Sequence, residues 1–406
     1  MSLNDAPGAV RIHIGLFGCR NVGKSSLMNA ITGQDIAVVS DVKGTTTDPV
    51  RKAMELLPLG PVVITDTPGY DDEGSLGELR VKKTRQKLAT TDIAVLVTDA
   101  TREMNDDEKE LLRIIKSKEI PYIIARNKCD QLPDAGKGAS GAGEDTAGTI
   151  CVSAATGENI NELREMLGSL APQQTELHLI GDVIRAKDVV VLVTPIDESA
   201  PKGRMILPQV QAIRDILDSD AIVVTTKETE LAETLAALKD DPAIVITDSQ
   251  AFEIVNEIVP DRIPLTSFSI MLARYKGFLD EAVAGAAAID DLKEGARILV
   301  AEGCTHHRQC NDIGTVKLPN WLKKYTGHDF VYETASGTHF PEDPSEYDLV
   351  LHCGGCMLTE REVLSRMHAA QDCDVPFTNY GITIAKLTGT LERSLRIFPK
   401  LHDLVV

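Results

Sequence analysis

An apolar run, Arg11–Gly18 (RIHIGLFG), leads directly into Gly18-Cys19-Arg20-Asn21-Val22-Gly23-Lys24-Ser25 and then into the amphipathic stretch KSSLMNAIT. Strand, glycine loop and helix in this order fit G-x-x-x-x-G-K-S/T, and they fix the first layer of an α/β fold. The glycines let backbone N–H groups turn inward around phosphate oxygens, and the helix N-terminus adds positive potential. Gly18, Asn21, Val22, Gly23, Lys24, Ser25 and Ser26 are therefore the candidate phosphate-loop contacts. Lys24 is placed to bridge the β and γ phosphates, and the Ser25 hydroxyl to ligate Mg²⁺.

Four further elements follow in chain order. Lys43-Gly44-Thr45-Thr46-Thr47-Asp48 is a hydroxyl-rich loop suited to close over Mg²⁺ through Thr46. Asp66-Thr67-Pro68-Gly69 ends a strand, with Asp66 suited to the Mg²⁺ shell and the Gly69 N–H to the γ-phosphate. Asn127-Lys128-Cys129-Asp130 ends another. A buried carboxylate at Asp130 accepts from guanine N1–H and N2–H₂ together, a donor pair that adenine lacks. Ser153-Ala154 follows the next strand and is suited to offer a backbone N–H to guanine O6. Together these residues, between 11 and 171, resemble the GTPase domain of the translation-factor-related superclass.

Two details narrow the resemblance. Tyr70 stands where small signalling GTPases carry a water-orienting Gln after the D-x-x-G glycine. Asn21 and the Gly44–Thr46 loop resemble tRNA-modifying, potassium-activated GTPases. That resemblance implies a K⁺ held by Asn21 and a water-positioning carboxylate at Glu78. A plain exposed position in the charged stretch GELRVKKTRQK is the competing reading of Glu78. Lys24, Thr46, Gly69 and Glu78 are the catalytic candidates.

The chain has 406 residues, enough for two to three domains at about 150 residues each. Near-continuous apolar runs alternate with helical patterns throughout, as in parallel sheets buried on both faces. Three consecutive α/β units result: a doubly wound, mostly parallel P-loop unit over 1–172, then smaller parallel-sheet units over 173–264 and 265–406. The middle unit suggests three strands (VVVLVT, AIVVTT, AIVITD). The third opens with one long helical stretch, SFSIMLARYKGFLDEAVAGAAAIDDL. No internal repeat is visible.

Net charge is −19 and aromatic content 4%, which disfavours a protein that grips nucleic acid or an anionic membrane. No apolar run approaches a membrane span, and Met1–Val10 lacks the basic start and apolar core of a secretory signal. A cytoplasmic protein is expected.

The eight cysteines are the odd item in the composition. Reduced cytosolic thiols in clusters suggest metal or redox chemistry. Cys304-Thr305-His306 and His352-Cys353-Gly354-Gly355-Cys356 each follow a strand, where ligands converge in α/β units. Three thiolates favour zinc, closed by His306 or His352, or a [4Fe–4S] cluster on Cys304, Cys353 and Cys356. Ligand chemistry alone leaves the two open. Cys19, Cys129, Cys151, Cys310 and Cys373 read as ordinary residues.

The pattern Cys304-x-His306…His352-Cys353-x-x-Cys356, downstream of a GTPase domain, resembles the [FeFe]-hydrogenase maturation GTPase family. The resemblance spans all three units. It implies GTP, Mg²⁺ and K⁺ at the first unit, dimerisation through the second, and a [4Fe–4S] cluster with an exchangeable fourth position on the third. His306 and His352 are then near the cluster as ligands or neighbours. It further implies a homodimeric scaffold that receives a transient diiron precursor from radical-SAM maturases and delivers it to apo-hydrogenase. The alternative is a GTPase of tRNA or ribosome maturation with a structural zinc.

Overall fold

The computed structural model describes residues 11–33, 50–70, 84, 87–133, 141–142, 148–170, 178–196, 205–303, 312–337 and 339–402. The chain divides into two compact units, Met1–Thr175 and Glu176–Val406.

The first unit holds β1 (Ile12–Phe17), β2 (Arg51–Leu56), β3 (Gly60–Asp66), β4 (Ile93–Asp99), β5 (Tyr122–Asn127), β6 (Gly141–Ala142) and β7 (Gly148–Cys151). The sheet order is β2-β3-β1-β4-β5-β7-β6. Only the β2–β3 and β6–β7 pairs are antiparallel. β4 is buried along almost its whole length, as a central parallel strand must be. Its alternate residues feed two cores. Ile93, Val95 and Val97 pack with the helices Lys24–Thr32 and Ile160–Ser169. Ala94 and Leu96 pack with Leu111 and Ile115 of the helix Asp106–Ser117. The doubly wound first unit is thus as expected. β2 and β6 are additions that the apolar runs did not announce.

The second unit holds two four-stranded, all-parallel sheets. One comprises β8 (Val189–Val193), β9 (Ile222–Thr226), β10 (Ile244–Thr247) and β11 (Leu265–Ser267). The other comprises β12 (Arg297–Glu302), β13 (Val331–Ser336), β14 (Leu349–His352) and β15 (Phe377–Asn379). The middle sheet therefore has four strands rather than three. Its last strand, β11, lies just beyond residue 264. The long helical stretch expected after it is two helices, Phe268–Tyr275 and Leu279–Ala287, broken at Gly277.

The two sheets are copies of one another. Their orders, β9-β8-β10-β11 and β13-β12-β14-β15, are the same when counted from each first strand. Registers also match: Val190↔Ile244 and Val245↔Leu265 in one, Ile298↔Leu349 and Val350↔Phe377 in the other. After the last strand the sequences run in parallel, PLTSFSIMLARYKG from Pro264 and PFTNYGITIAKLTG from Pro376. Ser267 caps its helix by accepting the Ile270 N–H, and Asn379 accepts the Ile382 N–H.

The copies also exchange packing. The helix Leu279–Ala287 lies on β15, and the helix Leu391–Leu395 lies on β11. The Thr266 hydroxyl donates to the Ser394 carbonyl at 3.0 Å, and the Thr378 hydroxyl to the Ala282 carbonyl at 2.8 Å. All four residues are buried. The internal repeat that sequence reading missed is thus an intertwined pair.

Candidate functional site

The phosphate loop joins β1 to the helix Lys24–Thr32. Gly23 has φ 89°, and a Cβ there would meet Asn127 Nδ2 at 2.3 Å. Only glycine fits a left-handed residue against a neighbouring loop at that distance. Lys24 is 8% exposed, and its ammonium donates to the Gly18 and Cys19 carbonyls at 3.0 and 2.7 Å. Asn21 is exposed in the left-handed region (φ 58°), while Val22 is buried and Ser25 and Ser26 are exposed.

The Ser25 hydroxyl donates to Asp66 Oδ2. Burial pushes the Asp66 carboxyl above its ordinary value, opposed by the Ser25 bond and the Lys24 charge. Asp66 Oδ1 is buried with no hydrogen-bond partner among the described residues. A hydroxyl beside a carboxylate that keeps one buried oxygen unpartnered is a hard, all-oxygen donor set that fits Mg²⁺. Gly69 follows three residues on, at the end of the β3 loop. Thr46 and Glu78 lie outside the described residues, as do Lys43–Asp48.

The two loops expected to read the base are tied to the Gly18–Ser25 loop. Asn127, 3% exposed, donates from Nδ2 to the Val22 carbonyl at 2.9 Å and accepts the Ala154 N–H at 3.0 Å. Lys128 donates to Asp99 at 2.5 Å. Burial alone would raise the Asp99 carboxyl, but hydrogen bonds from Lys128 and Thr101 outweigh it and hold it at about 2. Asp130 is exposed rather than buried, and it accepts the Ser153 hydroxyl at 2.6 Å. The expected N–H toward guanine O6 is otherwise engaged. The Ser153 N–H serves the Glu158 carbonyl and the Ala154 N–H serves Asn127. Ser153 instead orients the Asp130 carboxylate. Tyr70 packs in a core with Phe17 and Leu88, which removes its ring from any water-orienting role.

In the second unit, β12 ends at Glu302 and β14 ends at His352, so both run out at the same sheet end. Cys304, His306 and Cys310 lie outside the described residues. Among the described residues no three metal-ligating side chains cluster. Cys353 and Cys356 are half-buried free thiols. The Cys353 sulfur accepts N–H groups from Gly303 at 3.1 Å and Gly355 at 3.4 Å. Gly355 has φ 65°, and a Cβ there would meet Val363 at 3.0 Å, so the turn between the cysteines depends on glycine. Backbone donors aimed at sulfur suit a thiolate, and a paired soft ligand set fits a thiolate-bound metal.

Two buried cations flank this turn. Lys276 donates to the Gly355 and Leu358 carbonyls at 2.6 and 2.5 Å. Burial pulls its ammonium down to about 8, against the charges of Cys356 and Cys353. Arg366 pairs with Glu362 at 2.9 Å, donates to the Gly337 carbonyl and reaches His352 Nε2 at 3.3 Å. His352 is fully buried, and its Nδ1 donates to the Cys353 carbonyl at 2.6 Å. Burial, followed by the Arg366 charge, pulls the imidazole down to about 3. Both ring nitrogens are thus committed, and His352 braces the cysteine loop instead of pointing out of it. Sequence reading missed Lys276 and Arg366, because lysine and arginine at helical positions usually face water.

Cys19, Cys129 and Cys151 are buried free thiols, and Cys373 is half-buried beside Asp343.

Comparison with known proteins gives three family matches along the chain. Residues 13–128 match the model described as 50S ribosome-binding GTPase. Residues 179–277 match the hydrogen maturase F dimerization domain, and residues 280–397 its tetramerization domain. The tRNA modification GTPase MnmE of Neisseria meningitidis serogroup C (strain 053442) is 33% identical over 157 residues, 38% of this chain and 34% of that protein. MnmE of Syntrophotalea carbinolica is 38% identical over 116 residues, 28% of this chain and 25% of that protein. The chain thus spans about a third or less of the length of these relatives. Among solved structures, a variant of Aquifex aeolicus Era bound to GDP.AlF4- is 19% identical with TM-score 0.35, covering 53% of this chain and 93% of that one. The G domain of the T. maritima FeoB iron transporter is 25% identical with TM-score 0.30, covering 40% and 99%.

Proposed function

The chain belongs to the hydrogen maturase F family, two of whose domains match it in tandem over more than half its length, and on that premise we propose that it is a GTP-hydrolysing scaffold for the diiron subcluster of [FeFe]-hydrogenase. Residues 1–172 bind and hydrolyse GTP, 173–264 form the dimer, and 265–406 hold a [4Fe–4S] cluster. The scaffold takes the diiron precursor as cargo from radical-SAM maturases and passes it to apo-hydrogenase in the cytoplasm. Among the described residues no helix is long and apolar enough to cross a membrane.

In the first unit, Lys24 leaves its carbonyl partners for the β and γ phosphates, and Ser25 and Asp66 hold Mg²⁺ with Thr46. The Gly69 N–H meets the γ-phosphate. Asp130, oriented by Ser153, reads the guanine edge, while Asn127 fixes the two loops to one another. Asn21 holds K⁺, which supplies the charge that an arginine finger gives elsewhere. Glu78 positions the attacking water.

In the second unit, Cys304, Cys353 and Cys356 are the cluster ligands. When bound, the cluster supplies an iron with an exchangeable fourth position. His306 would be a ligand or neighbour of the cluster, and His352, engaged with the Cys353 carbonyl and Arg366, would brace the ligand loop. For the dimer, the edge strand β9 is the natural surface. Ile222 on it is 52% exposed, and the neighbouring helix Leu207–Asp218 exposes Val210 and Leu217. This is apolar edge in an otherwise acidic unit, and unpaired edges invite another strand.

The observation that carries the cluster reading is the pair of backbone N–H donors on Cys353 within a C-x-x-C turn. Anaerobic purification with iron, sulfide and zinc analysis tests it. Roughly three to four irons per chain with broad absorbance at about 400 nm support the reading, as thiolate–iron charge transfer requires. A colourless zinc protein overturns it.

A further inference from the structure

Lys276 occupies a position where lysine is rarely found. The residue is 4% exposed, at the C-terminal end of the helix Phe268–Tyr275. Its two acceptors, the Gly355 and Leu358 carbonyls, bracket Cys356 on either side. These bonds use two of its three protons but leave its charge uncompensated, because carbonyls are neutral. A buried ammonium without a counter-charge costs several kcal/mol. The charges that favour its protonated form are, in order, Cys356, Cys353, Glu360 and Glu362. Glu362 is already paired with Arg366, and Glu360, which sits at the start of the next helix, acts on the ammonium more weakly than either cysteine. The counter-charge nearest to hand is therefore the cysteine pair, and cysteines carry charge when they bind metal.

We propose that Lys276 is a positioning residue of the metal site, clamping the Gly355–Leu358 turn and offsetting the thiolate charge of Cys353 and Cys356. The assignment rests on the cluster reading above. The lysine reaches the turn from the end of the helix that follows the first copy's last strand, so that helix supports the second copy's ligand loop. Charge offset of this kind acts on the redox centre as well as on the fold. A nearby cation stabilises the more negative, reduced state, so losing it moves the midpoint potential down.

Full-length wild type, Lys276→Gln and Lys276→Arg, reconstituted anaerobically with iron and sulfide, give the test. Glutamine keeps an N–H donor and loses the charge; arginine keeps the charge. Redox titration followed by electron paramagnetic resonance reads the potential, and a chelator reads iron release. We expect a more negative midpoint and about tenfold faster iron loss in Lys276→Gln, the usual scale for groups behind metal ligands. Lys276→Arg stays close to wild type in potential. Wild-type values in Lys276→Gln overturn the proposal, and so do equal shifts in both variants, which mark a purely steric role. Failure of the wild type to take up a cluster overturns the cluster reading instead.

Discussion

Asn127 donates to the carbonyl of Val22 at 2.9 Å, joining the base-reading loop to the phosphate loop across 105 residues of sequence. The same side chain accepts the Ala154 N–H. One buried amide therefore holds three loops in register before any nucleotide arrives. Asn127→Ala removes both bonds and leaves the buried Val22 carbonyl and the partly buried Ala154 N–H without this partner. At about 1–3 kcal/mol for unsatisfied groups, GTP and GDP should both bind roughly tenfold to a hundredfold more weakly. Titration calorimetry checks this, and unequal losses for the two nucleotides would contradict it.

Asp130 is held by Ser153 with its carboxylate exposed at the loop surface. If Asp130 reads the guanine edge as proposed, Asp130→Asn turns an acceptor toward N2–H₂ into a donor. GTP affinity should fall by at least about a hundredfold, and xanthosine triphosphate, which offers an acceptor there, should bind better than GTP. Competition binding with the two nucleotides reads the switch.

Asp99 links pH to stability in the first unit. Its carboxyl is held at about 2 in the folded chain, below the ordinary 3.8. A depressed carboxylate contributes stability above its unfolded value and loses it as pH falls toward the folded value. The first unit should therefore lose stability between about pH 4 and pH 2 through this group. Lys128→Met removes the principal partner, and its urea midpoint should vary less across that window than wild type.

Arg366 is 5% exposed and serves Glu362, the Gly337 carbonyl and His352 together. Replacing it with Met strands a carboxylate and a ring nitrogen. Loss of one partner of a buried pair costs about 3–5 kcal/mol. Chemical denaturation followed in the second unit should show a drop on that scale, and a drop below about 1 kcal/mol would refute it.

The exchanged threonines make a paired prediction. Thr266→Val and Thr378→Val each leave one buried carbonyl, Ser394 or Ala282, without its hydroxyl donor. Each should cost about 1–3 kcal/mol, by similar amounts because the two environments are copies. Denaturation midpoints of both variants decide it.

Much of the first unit was legible because side-chain identity itself carries the chemistry. A Gly-Lys-Ser turn after β1, Asp66 at the end of β3 and Asn127 at the end of β5 announce themselves by type and spacing. The short strands were not legible. β11 and β15 have three residues each, too few for any periodicity. The repeat stayed hidden because likeness survives only around the last strand and its helix, where Pro264, Thr266, Ile270, Ala273 and Gly277 match Pro376, Thr378, Ile382, Ala385 and Gly389. Of these, Thr266, Ile270 and Ala273 and their counterparts Thr378, Ile382 and Ala385 are buried in the second unit and cannot drift independently, while the matching prolines and glycines set the turns on either side. Lys276 was illegible for another reason: its burial is made by the other copy, from a turn about eighty residues away in sequence, and no local pattern encodes that.

The intertwining of the two copies also bears on how force and motion pass through the second unit. The edge strand β9 belongs to the first copy and the Cys353–Cys356 turn to the second, yet each copy's last strand is covered by the other's helix. Among the described residues, a swing of one copy against the other that separated these elements would strip Thr266 and Thr378 of their acceptors. A subunit docked on β9, as proposed above, would be braced to the cysteine turn through the exchanged helices, as a bracket is to its mount, and the two halves should melt together.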